Sequence, residues 1–212
     1  MTTTVYIVRH GQIESNLKDF SSGWSAEDLN ENGYAQVRRL AARLANHAIN
    51  AVYTSPLQRT LTTAKIIGDS HNLAPIIVND LIEIKLGDWE GLHVSEIKEK
   101  WPKLFDRWRT DPNDVIMPSG ESLDEVTARA NRAINQIVDG NPDKNIIVVT
   151  HEIIIKVIIT HILGCTNAIY NRFRIDNASI SIVTNKDGNY QLLTLNDTAH
   201  LDMACPQVVP LL

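Results

Sequence analysis

A chain of 212 residues, 43% hydrophobic and 21% charged, has the composition of a globular protein and can bury a core without disulfides or a structural metal. Its net charge of −5, with no block of lysine and arginine, argues against a nucleic-acid surface, so any anionic ligand must meet a local basic cluster. Cys165 and Cys205 lie far apart with no CxxC pair, which fits a reducing compartment and argues against a thiolate metal site. The opening residues lack the basic and long apolar regions of a signal peptide, so a cytoplasmic location is expected. The most apolar stretch, 146–163, is interrupted by His151, Glu152, Lys156 and His161, groups too costly to place in lipid.

In chain order, Val-Tyr-Ile-Val at 5–8 reads as a buried central strand. Val37, Leu40, Ala41 and Leu44 form a helical stripe within 33–46. A second strand at 51–54 is followed by Ser55-Pro56, an N-cap and N1 pair predicting a helix to about 67. A third short strand is expected at 76–78, and 92–122, with Pro102, Pro112 and Pro118, reads as a helical insertion. Ser122 and Glu125 have capping-box spacing ahead of a helix carrying Val126, Ala130, Ala133, Ile134 and Ile137. A strand at 145–150, a helix at 152–163 and a hairpin of 179–184 with 190–195 complete the chain. Alternating strands and helices predict an α/β fold with a largely parallel sheet, organised as one domain over 1–212.

Open α/β sheets bind ligands at the carboxyl ends of their strands. Arg9-His10-Gly11 follows the first strand, Arg59 sits in the first turn after the second, Glu83 follows the third, and His151 follows the strand ending at Thr150. Each has a bland reading alone: a glycine closing a turn, a surface cation, a solvated carboxylate, a hydrogen-bonded structural histidine. Together they place two arginines, two histidines and a carboxylate where one sheet edge is expected.

The same positions resemble the histidine phosphatase superfamily, which includes phosphoglycerate mutases. The matching text is Val5-Tyr-Ile-Val-Arg-His-Gly-Gln-Ile-Glu-Ser-Asn16, Leu29-Asn-Glu-Asn-Gly33, Tyr53-Thr-Ser-Pro-Leu-Gln-Arg59, the run from Glu83 to Gly91, Ser119-Gly-Glu-Ser122 and Val148-Val-Thr-His151. The resemblance spans the chain and implies a three-layer α/β/α, phosphoglycerate mutase-like fold with a mainly parallel central sheet. It implies a phosphohistidine formed on His10, phosphoryl oxygens held by Arg9, Arg59 and His151, and Glu83 as proton donor. Asn16, Ser22 and Gly23 fall where phosphate or substrate contacts are made. Arginines stay protonated and match phosphate geometry, so neither a metal nor any other cofactor is expected. For His151, the cationic form is the more useful one.

Two positions depart from the pattern. Ile13 stands where threonine is usual, and Glu152 where glycine is usual. A first-turn carboxylate is ordinary helix chemistry; the sharper alternative is that Glu152 keeps His151 cationic. The functional reading is a phosphomonoesterase for a small soluble ester, with phosphoserine, phosphoglycerate-type esters and α-ribazole phosphate as candidates. The rivals are a phosphoglycerate mutase, whose extra cations would have to come from Lys98, Lys100, Lys103, Arg107 and Arg109, and a non-catalytic binder of phosphate ligands. His200, in a segment resembling the tail of family phosphatases, is a candidate substrate contact, and Trp24 a candidate pocket wall. A homodimer through an edge strand at 179–184 stays open.

Overall fold

In the computed structural model, which describes residues 1–201, the strands are β1 (Thr2–Arg9), β2 (Ala51–Thr54), β3 (Ile76–Ile77), β4 (Asn145–Thr150), β5 (Ile180–Lys186) and β6 (Asn189–Asp197). The helices are α1 (Glu14–Leu17), α2 (Glu31–Leu44), α3 (Gln58–Asp69), α4 (Val94–Lys100), α5 (Pro102–Thr110), α6 (Leu123–Asp139) and α7 (Glu152–Ile162). They build one mixed sheet in the order β3-β2-β4-β1-β5-β6. The first four of these strands run in parallel, while β5 and β6 are antiparallel additions. Cys205 lies outside the described residues, and Cys165 is an exposed free thiol.

Ile146, Ile147, Val148 and Val149 in β4 are all fully buried because helices cover both faces of the sheet. Val5, Ile7, Ile146 and Val148 pack with Val126, Ala130, Ile154 and Ile158 of α6 and α7. The alternate residues Val8, Ile147 and Val149 pack with Val37, Leu40, Ala64 and Ile67 of α2 and α3. That period-two division makes the three layers. Among the described residues, no helix is long and apolar enough to cross a membrane.

Local chemistry explains most boundaries. Asn30 accepts the Gly33 N–H at 2.8 Å, so α2 starts and ends earlier than its apolar stripe predicts. Ser122 and Glu125 form the expected capping box. The Ser55-Pro56 start of α3 is corrected: the helix opens at Gln58 after Leu57, which offers no cap. The Ser55 hydroxyl instead meets His151 at 2.7 Å. The expected edge strand is corrected too, since β5 lies between β1 and β6 and the sheet ends at β6. Asp187 and Gly188, both at positive φ (52° and 85°), turn the chain between them.

Candidate active site

Because β1 and β4 are parallel neighbours, their carboxyl ends deliver two histidines side by side. The His10 N–H donates to the Thr150 carbonyl at 3.1 Å, and the His10 and His151 rings lie edge to face with centroids 5.3 Å apart. His10 Nδ1 lies 2.7 Å from the Gly11 carbonyl. A carbonyl only accepts, so Nδ1 carries the proton and Nε2 keeps its lone pair. Burial first, then Arg59 and Arg9, hold the His10 pKa well below its usual value, so the ring is neutral. Gly11 is fixed by close approach: a Cβ there would sit 2.8 Å from the Gly33 carbonyl oxygen, at the start of α2.

Cations surround this ring. Arg9, at the end of β1, donates to the Ile175 carbonyl at 2.6 Å and pairs with Glu152 Oε2 at 2.9 Å. Arg59 is fully buried, with its terminal nitrogens on the carbonyls of Gly23 at 2.6 Å and Ser25 at 3.0 Å. Burial lowers its pKa to about 10, which leaves it charged at neutral pH. Ser55 can donate to His151 Nε2, which puts the ring proton of that histidine on Nδ1. Among the described residues, Arg9 Nε and Arg59 Nε are buried donors without a partner, as is His151 Nδ1 in the tautomer in which Ser55 donates to Nε2. Unpaired buried donors are costly.

The sharper alternative, a cationic His151 held by Glu152, is not the one the structure favours. Burial, then Arg59, His10 and Arg9, push the His151 pKa well below its usual value, so both rings are neutral. Glu152 turns toward Arg9 and Lys156 instead, at 2.9 Å from each. Burial raises the Glu152 pKa, but the two cations outweigh it and hold the carboxylate ionised.

Glu83 lies after β3, its carboxylate accepting the Ile84 N–H at 2.9 Å. Burial raises its pKa against the pull of that N–H and of Arg59. The loop carrying it is held by Arg129, which the sequence reading missed. This side chain donates to the carbonyls of Asp80, Ile82 and Glu83 at 2.9, 2.5 and 3.0 Å and pairs with Glu121 at 2.9 Å. The available signal was an arginine on the apolar face of α6, one turn from Val126. Arg129→Ala is expected to cost about 3 kcal/mol, since it strands a partly buried carboxylate and three carbonyls. Urea denaturation measures that loss. A displaced Glu83 adds a second signature, with turnover of alkyl phosphates falling more than that of p-nitrophenyl phosphate.

One cavity of about 270 Å³ opens over these groups, and Arg9, His10, Asn16, Ser22, Gly23, Glu83 and Glu152 all line it. Arg59 and His151 are not among its lining residues. Asn16 spends its amide oxygen on Ile13 N–H at 3.3 Å and Asn177 at 3.0 Å, leaving its NH₂ for a ligand. Ile13 is fully buried in the cluster beneath α2, so the position that usually brings a hydroxyl brings core packing.

Two expected contacts are corrected. His200 does not line the cavity: its ring nitrogens meet the Ala178 carbonyl at 3.0 Å and Arg43 at 3.2 Å. Trp24 does not wall it either, and donates its indole N–H to the Glu83 carbonyl at 2.7 Å. Of the five cations considered for a mutase, Arg109 lines the cavity. Trp89, Phe105, Trp108, Tyr170 and Lys156 also line the cavity, and none of them was read from the sequence as a site residue.

Fold and site together define a class of α/β protein whose candidate site lies at the carboxyl edge of its sheet. The sequence profile of the histidine phosphatase superfamily (branch 1) matches residues 5–198. The chain belongs to that superfamily and is a phosphoric monoester hydrolase. It is 33% identical over 195 residues to phosphoserine phosphatase 1 of Hydrogenobacter thermophilus, covering 92% of each chain. It is 32% identical over 202 residues to a metal-independent phosphoserine phosphatase of Arabidopsis thaliana, covering 94% of this chain and 83% of the relative. The structure of YhfR from Bacillus stearothermophilus superposes with a TM-score of 0.91 at 29% identity, covering 94% and 100% of the two chains.

Proposed function

We propose that the chain, acting as one catalytic domain, hydrolyses small phosphate monoesters without a metal through a phosphohistidine on His10 Nε2. The observation that supports this is a neutral His10 whose Nδ1 proton is held by the Gly11 carbonyl and which lines the cavity together with Arg9 and Glu83. Nε2 attacks phosphorus as the bond to the ester oxygen breaks, and Glu83 gives its proton to the departing oxygen. Water then attacks the phosphohistidine, and the Glu83 carboxylate takes a proton from it as phosphate leaves. The arginines carry the equatorial charge throughout, the larger part of catalysis in phosphoryl transfer. A bound dianion also favours protonation of His151, which supplies the cationic form when it is needed.

Phosphoserine is the leading candidate substrate, since two of the relatives are phosphoserine phosphatases by name. The test is inorganic phosphate release from a panel of phosphomonoesters in EDTA, with an acid-labile phosphoenzyme trapped on the fastest substrate. Release that survives EDTA, accompanied by the trapped species, is expected. Abolition by EDTA would refute the metal-independent mechanism, and transfer requiring 2,3-bisphosphoglycerate would identify a mutase instead.

A further inference from the structure

Trp24 stands outside the cavity but against its proton donor, on a segment that meets a different part of the site at each residue. Ser22 and Gly23 line the cavity. The carbonyls of Gly23 and Ser25 receive the two terminal nitrogens of Arg59, at 2.6 and 3.0 Å. Between them, Trp24 sends its indole N–H to the Glu83 carbonyl at 2.7 Å. Four consecutive residues thus reach the ligand space, the buried arginine and the backbone of the acid.

Further bonds join this segment to the loop that follows Glu83. Glu90 Oε1 accepts the Trp24 N–H at 3.3 Å and the Leu86 N–H at 3.2 Å, so one carboxylate ties the two together. The Gly91 N–H donates to the Ser21 carbonyl at 2.8 Å, and the Ser21 N–H to the Leu92 carbonyl at 3.0 Å. The Lys85 ammonium lies 5.9 Å from the centroid of the Trp24 ring. Arg129 reaches the same Glu83 carbonyl from α6, at 3.0 Å, so both lone pairs of that oxygen are used. Arg129 ties the acid to the helical layer, whereas Trp24 ties it to the segment that fixes Arg59. The Glu83 carboxylate is itself pinned by the Ile84 N–H, so its place follows that of the backbone. Misplacing a catalytic group by about 1 Å is enough to cost much of its effect.

We propose that Trp24 is a positioning residue, which holds Glu83 in register with Arg59 so that proton donor and arginine keep one geometry. This rests on the phosphatase reading, with Glu83 as its acid, and adds a residue that sets the acid's place.

The test is Trp24→Phe, assayed on the fastest alkyl ester of the phosphatase panel and on p-nitrophenyl phosphate, beside Glu83→Gln and the double variant. The change removes the N–H but keeps an aromatic ring and the carbonyls that hold Arg59. Trp24 is 41% exposed, so the variant should fold, and Trp24→Leu carries the same readings if it does not. On the alkyl ester kcat is expected to fall about three- to tenfold, the weight of one hydrogen bond, with KM and the p-nitrophenyl rate nearly unchanged. Burial is the main cause of the raised Glu83 pKa, with the Ile84 N–H and Arg59 opposing it and Glu152 and Arg9 acting less. A carboxyl released toward solvent loses that rise, so the alkaline limb of the kcat/KM profile should move to lower pH. In the Glu83→Gln background, Trp24→Phe should add no further alkyl-specific loss. Equal losses on both esters would overturn the proposal, since they mark a displaced Arg59 or a weakened fold. So would an unchanged alkyl rate, or an alkyl-specific loss that persists in full without Glu83. Glu83→Gln losing equally on both esters, or wild type inactive on p-nitrophenyl phosphate, would overturn the underlying reading and the proposal with it, a result visible without any Trp24 variant.

Discussion

His10→Ala is expected to lower phosphate release by about 10⁴-fold or more on every ester, because the covalent route loses its nucleophile. That is roughly 5 kcal/mol or more of barrier. His151 does not rescue it: Nε2 of that ring is committed to Ser55 at 2.7 Å, and the residue does not line the cavity. Folding should survive. His10 is a buried ring kept neutral against two arginines, and its backbone N–H and carbonyl, which tie β1 to Thr150 and Ala178, remain in the variant. Binding should survive as well, since Arg9, Arg59 and His151 keep their unpaired donors. The measurement is phosphate release alongside isothermal titration with phosphoserine. A variant that still turns over at more than a hundredth of the wild-type rate would refute the phosphohistidine. One that no longer binds would show that His10 holds the ligand as well as attacking it.

The strand ends were legible in the sequence because fully buried parallel strands leave unbroken apolar runs, and 51–54 and 145–150 match β2 and β4 to the residue. Arg9, His10 and His151 end or follow such runs, so their shared sheet edge could be read before any contact was known, whereas Glu83 comes after the short, exposed edge strand β3. The start of α3 was not legible. Ser55-Pro56 has cap chemistry, but a long-range bond to His151 recruits the serine, and local pattern carries no trace of that. Arg129 and Lys156 were invisible for a related reason. Each is a charge on a helix whose neighbours are apolar, and only the fold shows that carbonyls or a carboxylate await it. His200 illustrates the opposite error: a resemblance placed it near substrate, whereas Arg43, ion-paired with Asp197, holds it against Ala178 away from the cavity.

Glu83→Gln should separate substrates by their leaving groups. An alkoxide leaves poorly without a proton, whereas nitrophenolate needs little help, so alkyl phosphates should lose about 10²–10⁴-fold and p-nitrophenyl phosphate far less. Equal losses on both would rule out Glu83 as the acid. The pH profile gives a second, independent reading. With ordinary values, 6.5 for histidine and 4.5 for glutamate, a neutral His10 and a protonated Glu83 would rarely coexist. Burial moves the two toward each other: the histidine stays neutral as pH falls below 6.5, and the carboxyl stays protonated as pH rises above 4.5. The wild-type kcat/KM profile on alkyl esters should therefore fall on its alkaline side as Glu83 ionises, and Glu83→Gln should remove that limb. The same shift costs stability. A carboxyl whose folded pKa is raised contributes fully below its unfolded pKa and loses that contribution as pH rises through the folded one. Gln carries no such charge, so the variant should melt higher than wild type at neutral pH, and the gain should vanish below about pH 4.5. A higher melting temperature joined to a leaving-group-dependent loss of rate would mark Glu83 as a residue kept for chemistry at the expense of the fold.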